Sequence, residues 1–386
     1  MREIPLSAPD ITEAEIDAVV KVLRSPRLSL GPVLAEFERS TAEYVDAAYA
    51  VAVNSGTSAL HLAMLALGIA PEDEVIVPSF SFVAVANVVR YVGAKPVFAD
   101  IDPITLNLDP AKVEAAITPR TRAILVVHTF GVPAEMTAIL DIARRHHLRV
   151  IEDACEALGA EYGGKKVGPL GDAGVFAFYP NKQITTGEGG MLVTNNGEIA
   201  TAARALRNQG RRDSDDWFQH SEVGYNYRIS EMNCALGVEQ MKRIETILAR
   251  REQVASQYRQ RLAADSRLIL PAAAPANQRA NRAANQRISW FVYVLRLSPQ
   301  FTHADRDGVM KDLAADGIAS GRYFAPIHLQ PAYRSFRNCS ASLAVTESES
   351  ARCIALPFYN RITEDDVERV CDSLLRSLDR RPQLSR

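Results

Sequence analysis

Apolar positions recur in two rhythms along the chain. Near the start, Thr12 and Glu15 stand three apart in capping-box order, and Ile16, Val19, Val20 and Leu23 follow at helical spacing. Residues 25–32 (SPRLSLGP) form a turn-rich loop, with a helix predicted through Glu36, Phe37 and Glu38. Short apolar runs then alternate with helical stretches. Strands are predicted over 75–77, 96–99, 123–127, 149–152, 175–178 and 191–194, and helices over 58–67 (closed by Gly68), 83–91 and 139–146. Apolar strands separated by helices point to an α/β fold with a mainly parallel sheet covered on both faces. Residues 231–258 read as one long helix bridging two domains.

The remainder has a different texture. Residues 272–287 (AAAPANQRANRAANQR) carry no apolar period and are expected to form a surface excursion. Beyond them, 290–297 alternates like a half-buried strand, 309–313 lies in a helix, and 367–378 forms a last amphipathic helix. A length of 386 residues exceeds what one core usually supports, so a large domain over 1–250 and a small α+β domain over 251–386 are expected.

Composition narrows the function classes. A formal net charge of −2 offers no broad field for nucleic acid or an anionic membrane, so neither is an expected partner. No run of 18 apolar residues occurs, and the first residues lack an apolar signal core. The five cysteines (Cys155, Cys234, Cys339, Cys353 and Cys371) are scattered and lack metal-ligand spacing, which suits reduced thiols in the cytoplasm. His146 and His147 are adjacent on a helix, so their side chains diverge and no metal is expected there.

The chemistry concentrates at strand ends. In FAFYPNKQITTGEGG (176–190), a strand delivers Asn181 and Lys182 into a glycine-rich loop. A lone lysine is ordinarily a solvated charge. Directly after an apolar strand of an open α/β sheet it stands where active sites form, and a desolvated amine there is a usable nucleophile. VIEDACEALGA (150–160) places Asp153 at the end of another strand, where a carboxylate can keep a cofactor's pyridine nitrogen protonated; capping the next helix is the bland alternative. NSGTSAL (54–60) opens a helix with Gly56, Thr57 and Ser58, a turn suited to an anion as well as to routine capping. Phe82 follows the 75–77 strand and is read either as core or as a ring that stacks on a cofactor. His128 ends a strand, and both a pocket-lining and a buried structural role stay open.

These motifs occur together and in order. LSLGPVLAEFE, NSGTSALHLAM, DEVIVPSFSFVA, GAKPVFADID, EDACEALGA, FYPNKQITTGEGG, GYNYRISEMNCALG and GIASGRYFAPIHLQPAY closely resemble the DegT/StrS family of sugar aminotransferases, nearly end to end. The resemblance implies a fold-type I pyridoxal 5′-phosphate (PLP) aminotransferase with a seven-stranded, mostly parallel sheet. It places Lys182 as the Schiff-base lysine and Asp153 as the partner of the ring nitrogen. It puts Gly56, Thr57 and Ser58 at the phosphate and Phe82 on the ring. Asn226 falls on a residue that reaches the cofactor of the neighbouring subunit, which implies a homodimer with shared sites. Tyr323 and His328 fall in a stretch near the substrate. The implied reaction passes an amino group, from L-glutamate, to a nucleoside-diphosphate keto-deoxysugar, with a 4-keto-6-deoxyhexose favoured because FYPNKQITTGEGG resembles perosamine-synthase-like members.

Two departures stand out. The family's phosphate-binding serine is Ala177 here, a loss of roughly 1.5–3 kcal/mol of cofactor affinity unless another donor such as Asn181 replaces it. Glu156 stands where the family has Gln or His, and a carboxylate near the cofactor's phenolic oxygen must be protonated or paired. Rival readings are a sugar dehydratase, whose relatives replace the lysine with histidine, an aminotransferase for a cyclitol or other ketone, and a regulatory PLP-binding protein without turnover.

Overall fold

The computed structural model describes residues 2–212, 214–216, 218–271, 286–336 and 342–381. Most of the expected excursion (272–285) lies outside the described residues, as does Cys339.

An N-terminal arm leads into α1 (Glu13–Leu23) and α2 (Pro32–Val45). The main sheet then forms from β1 (Tyr49–Val53), β2 (Glu74–Pro78), β3 (Lys95–Ala99), β4 (Thr121–Val127) and β5 (Arg149–Asp153), interleaved with α3 (Gly56–Ala66), α4 (Ala84–Tyr91), α5 (Pro110–Ala115) and α6 (Met136–His146). After a small hairpin of β6 (Glu161–Tyr162) and β7 (Lys165–Lys166), β8 (Ala173–Ala177) and β9 (Gly190–Thr194) complete it, and α7 (Gly197–Arg207) follows. The seven strands lie in the order β1-β9-β8-β5-β4-β2-β3, and within the sheet only β9 runs against its neighbours.

Alternation along each strand feeds two cores. Ile76, Ile124, Val126, Val150, Phe176 and Val193 point to one face under α2 and α6, while Val75, Val77, Leu125, Ile151, Val175 and Leu192 point to the other under α3, α4 and α7. A sheet buried on both faces needs such runs without polar interruption.

The expected single helix over 231–258 is two. α8 (Glu231–Lys242) stops at Arg243, whose backbone leaves the helix (φ −118, ψ 17), and α9 (Ile244–Leu262) restarts. At the bend the Arg243 guanidinium bonds Glu15 (2.7 Å) and Asp10 (3.0 Å) from the N-terminal segment, contacts that no local pattern announces.

The C-terminal part has its own apolar cluster. β10 (Leu268–Ile269), β11 (Tyr293–Leu297) and β12 (Cys353–Leu356) form an antiparallel sheet packed by α9, α10 (His303–Ala315) and α12 (Glu364–Asp379), with α11 (Ala344–Ser350) beside it. The strand expected over 290–297 starts later, at Tyr293, and is buried along its whole length rather than half-buried. Its alternating polar residue Arg296 is buried too, paired with Glu349. Phe80, Phe130, Phe291 and Phe324 pack where this part meets the main sheet.

Candidate active site

The parallel strands β1, β2, β4, β5 and β8 end on one side of the sheet, where ligands of open α/β folds bind. A cavity of about 540 Å³ opens there. Its lining draws on the turn after β1 (Ser55, Gly56, Thr57), the segment after β2 (Ser81, Phe82), the end of β5 (Asp153, Cys155, Glu156) and the loop after β8 (Ala177, Tyr179, Asn181, Lys182). Phe291, Tyr323 and Phe324 close it from the C-terminal part.

The local folding of each segment explains its place. Ser55 caps α3, its Oγ accepting the Ser58 N–H at 3.1 Å, so the helix starts at Gly56, two residues earlier than its apolar period suggests. A Cβ on residue 56 would lie 2.7 Å from Ala177 Cβ and 2.9 Å from Cys155 Sγ, so only glycine lets the helix start close onto β5 and β8. Ser58 itself turns away from the cavity: its hydroxyl bonds Asn54 Oδ1 at 2.7 Å. The residue of that turn that lines the cavity with Gly56 and Thr57 is Ser55.

Lys182 is held at both ends of its backbone, its N–H on Tyr179 O (2.9 Å) and its carbonyl on Arg251 Nη2 (2.9 Å). Its ammonium sits 3.9 Å over the Phe291 ring and 3.8 Å from Glu156 Oε1. Glu156 is buried, and Oε2 accepts the Phe130 N–H at 2.8 Å. Burial pushes its carboxyl above the usual carboxylate range, against the pull of the Lys182 charge and the Phe130 bond, while Asp153 adds to the rise. Asp153 is buried at the cavity, and its Oδ1 accepts the Cys155 N–H at 3.1 Å. Burial likewise pushes the Cys155 thiol well up, with Asp153 adding and Lys182 opposing. The Tyr323 phenol is raised by burial and by Glu156, and Asn181 at its side works the other way.

Other expected residues lie elsewhere. Phe82 stands at the rim, 61% exposed. His328 does not line the cavity: it is buried, with Nδ1 2.6 Å from Ser79 Oγ and Nε2 3.0 Å from Glu347. It anchors the Tyr323 segment to the end of β2. Asn226 is exposed, bridges to Asn208, and is outside the cavity of its own chain. His128 takes the buried structural role: Nδ1 accepts the Ala134 N–H, so Nε2 carries the proton toward Glu152 at 3.0 Å. Phe291 carries no motif in sequence, since it reaches the lysine only through the tertiary fold. Cys155 and Glu188 also join the lining.

The lining fits pyridoxal phosphate. A buried carboxylate and an amine share one cavity with the start of an α-helix, the glycine cradle leaves room for an anion, and the buried Asn181 Oδ1 has no partner of its own. A sheet of this topology with this lining is what a pyridoxal-phosphate-dependent aminotransferase requires.

The chain belongs to the DegT/DnrJ/EryC1/StrS aminotransferase family, whose profile it matches over residues 9–375. It is 43% identical over 373 residues to a GDP-perosamine synthase of Caulobacter vibrioides, covering 96% of this chain and 97% of that one. Among solved structures it superposes on DesV of S. venezuelae, in complex with a ketimine intermediate, with a TM-score of 0.89 at 35% identity, over 99% of this chain and 100% of that one. It also superposes on the PLP form of the putative sugar aminotransferase Spr1654 of Streptococcus pneumoniae, with a TM-score of 0.91 at 27% identity, over 98% and 99% of the two chains.

Proposed function

We propose that this enzyme transfers an amino group from L-glutamate to a nucleoside-diphosphate 4-keto-6-deoxyhexose, giving an amino sugar. The observation that carries the reading is the meeting of Lys182 and Asp153, 29 positions apart in sequence, in the lining of one cavity. The similarity to a GDP-perosamine synthase supports the sugar.

When bound, pyridoxal phosphate supplies an aldehyde that takes up the donor's amino group and a ring that draws electrons from the bond being broken. The chain's residues do the rest. Lys182 Nζ would be the amine that holds the cofactor and the base that moves the substrate α-proton. Asp153 would keep a proton on the ring nitrogen, and Phe82 would cover the ring. Gly56 and Thr57, helped by Ser58 through the turn it braces and by Asn181, receive the phosphate. Tyr323 faces the substrate, and His328 fixes that segment from behind. Asn226 is assigned to the cavity of a second copy in a homodimer. Residues 1–250 and 251–386 act as two domains with the cavity at their junction. A cytoplasmic location fits the free thiols of Cys155, Cys234, Cys353 and Cys371. Among the described residues no helix is long and apolar enough to cross a membrane.

The test is incubation with glutamate and a panel of nucleotide keto-sugars, with products read by mass. An aminated 4-keto-6-deoxyhexose is expected; no amination of any sugar in the panel, or deoxygenation without amine transfer, overturns the assignment. Lys182→Ala is expected to abolish turnover while leaving a folded dimer by light scattering. Full activity in that variant refutes the role of Lys182.

A further inference from the structure

Arg251 is unlike the other buried arginines described. Arg207, Arg296, Arg306 and Arg352 are each paired with a carboxylate: Glu38, Glu349, Asp307 and Glu349 in turn. Arg251 is 3% exposed, and its side-chain hydrogen bonds go only to main-chain carbonyls. Nη1 donates to Phe291 O at 3.1 Å and Trp290 O at 3.4 Å, and Nη2 donates to Lys182 O at 2.9 Å. The single carboxylate that acts on it, Asp10, does so without a hydrogen bond, and burial holds the guanidinium down at about 10.

A buried cation without a counter-ion is a poor way to stabilise a fold, since an apolar side chain of similar volume usually does as well or better. What the guanidinium does accomplish is geometric. Its planar fork gathers, in one place, the carbonyl of Lys182 and the carbonyl of Phe291, the residue whose ring lies beneath the Lys182 ammonium. A second brace runs parallel. Gln183 Nε2 donates to Glu156 O (2.6 Å) and shares its other N–H between Ser289 Oγ (2.9 Å) and Ser289 O (3.1 Å), tying the next residue to the two segments that flank the amine.

We propose that Arg251 is a positioning residue for Lys182, locking the lysine's main chain and the Phe291 ring into one rigid unit so that only the lysine side chain moves between resting and working positions. This rests on the reading of Lys182 given above. A long, flexible amine delivers its nitrogen reproducibly only if its Cα is fixed, and small misplacements of a reacting group cost large factors in rate.

The experiment compares Arg251→Met, which keeps the volume and removes every donor, with Arg251→Lys, which keeps the charge but not the fork. Apoenzyme is mixed with pyridoxal phosphate, quenched with borohydride at timed intervals, and the covalent adduct is mapped by peptide mass; melting temperatures and single-turnover rates with glutamate are measured alongside. Arg251→Met is expected to melt within a few degrees of wild type. Its capture by Lys182 and its saturating single-turnover rate are expected to slow about tenfold, with the glutamate concentration dependence unchanged. Arg251→Lys is expected to recover little of either rate. Wild-type capture in both variants overturns the proposal, as does slowing only in step with a fallen melting temperature. If Arg251→Met does not fold, Arg251→Lys decides alone: capture at the wild-type rate overturns the proposal, and slow capture in a stable protein supports it. A wild-type label on another lysine sinks the reading of Lys182 and this proposal together, whereas a label on Lys182 with unaffected variants sinks this proposal only.

Discussion

Glu15 and Glu156 are the same residue type, both buried, in two regions that treat a carboxylate in opposite ways. Glu15 lies where α1, α8 and α9 meet and takes bonds from the Thr12 N–H (2.7 Å), the Thr12 hydroxyl, Gln240 Nε2 (2.6 Å) and Arg243 Nε (2.7 Å). Burial alone pushes its carboxyl up, but those donors outweigh it and hold it at about 2. Glu156, in the cavity wall, has one backbone donor and an ammonium at 3.8 Å, too little to offset burial, and its carboxyl is held up instead. A fully bonded carboxylate stores stability. A half-bonded one keeps bonding capacity for a ligand, at some cost to the fold.

The largest effect expected from this contrast is at Glu15. A carboxyl held at about 2 against an ordinary 4.5 contributes about 3 kcal/mol at neutral pH. That contribution is present above the unfolded value of 4.5 and is lost as pH falls toward about 2. Glu15→Gln is therefore expected to lose about 3 kcal/mol in urea unfolding at pH 7, with the gap to wild type closing below pH 4.5. An equal gap at pH 7 and pH 3 removes the ionic explanation. Thr12→Ala, which takes away one of the donors and the cap of α1, is expected to cost about 1 kcal/mol by the same measurement. A loss matching that of Glu15→Gln shows the cap, rather than the charge, to be what matters.

The same contrast explains what could be seen from sequence. Thr12 and Glu15 were legible because a capping box is local, and the places of Asp153 and Lys182 because one ends an apolar strand and the other lies in the loop after one. The break at Arg243 was not: its causes, Asp10 and Glu15, lie more than 200 positions away, and no Gly or Pro marks it. β1 (YAVAV) went unread because its Ala/Val alternation follows α2 after only three residues and fits either period. β10 and β12, of two and four residues, are too short to carry a period at all. In the cavity, Ser55 displaced Ser58 because the helix begins at a capping serine rather than at the first apolar position. Phe291 and Arg251 gain their meaning only where the C-terminal part folds against the lysine loop.

Glu156→Gln gives the smallest effect on stability and the sharpest contrast with Glu15→Gln. A carboxyl whose folded value is raised makes its contribution below the unfolded value of 4.5, and loses it as pH climbs through the folded value. The apoprotein carrying Gln is therefore expected to match wild type near pH 4 and to become the more stable of the two toward pH 8. This trend is opposite in sign to that at Glu15. The neutral amide occupies the space of a neutral acid and keeps an acceptor for the Phe130 N–H, so no cavity forms, while the Lys182 ammonium loses the carboxylate oxygen 3.8 Å away. If wild type is instead the more stable protein at pH 8, Glu156 is an ionised and satisfied carboxylate like Glu15, paired with the Lys182 ammonium strongly enough to repay its burial. The difference between the two regions then lies in the number of partners and not in the state of the acid.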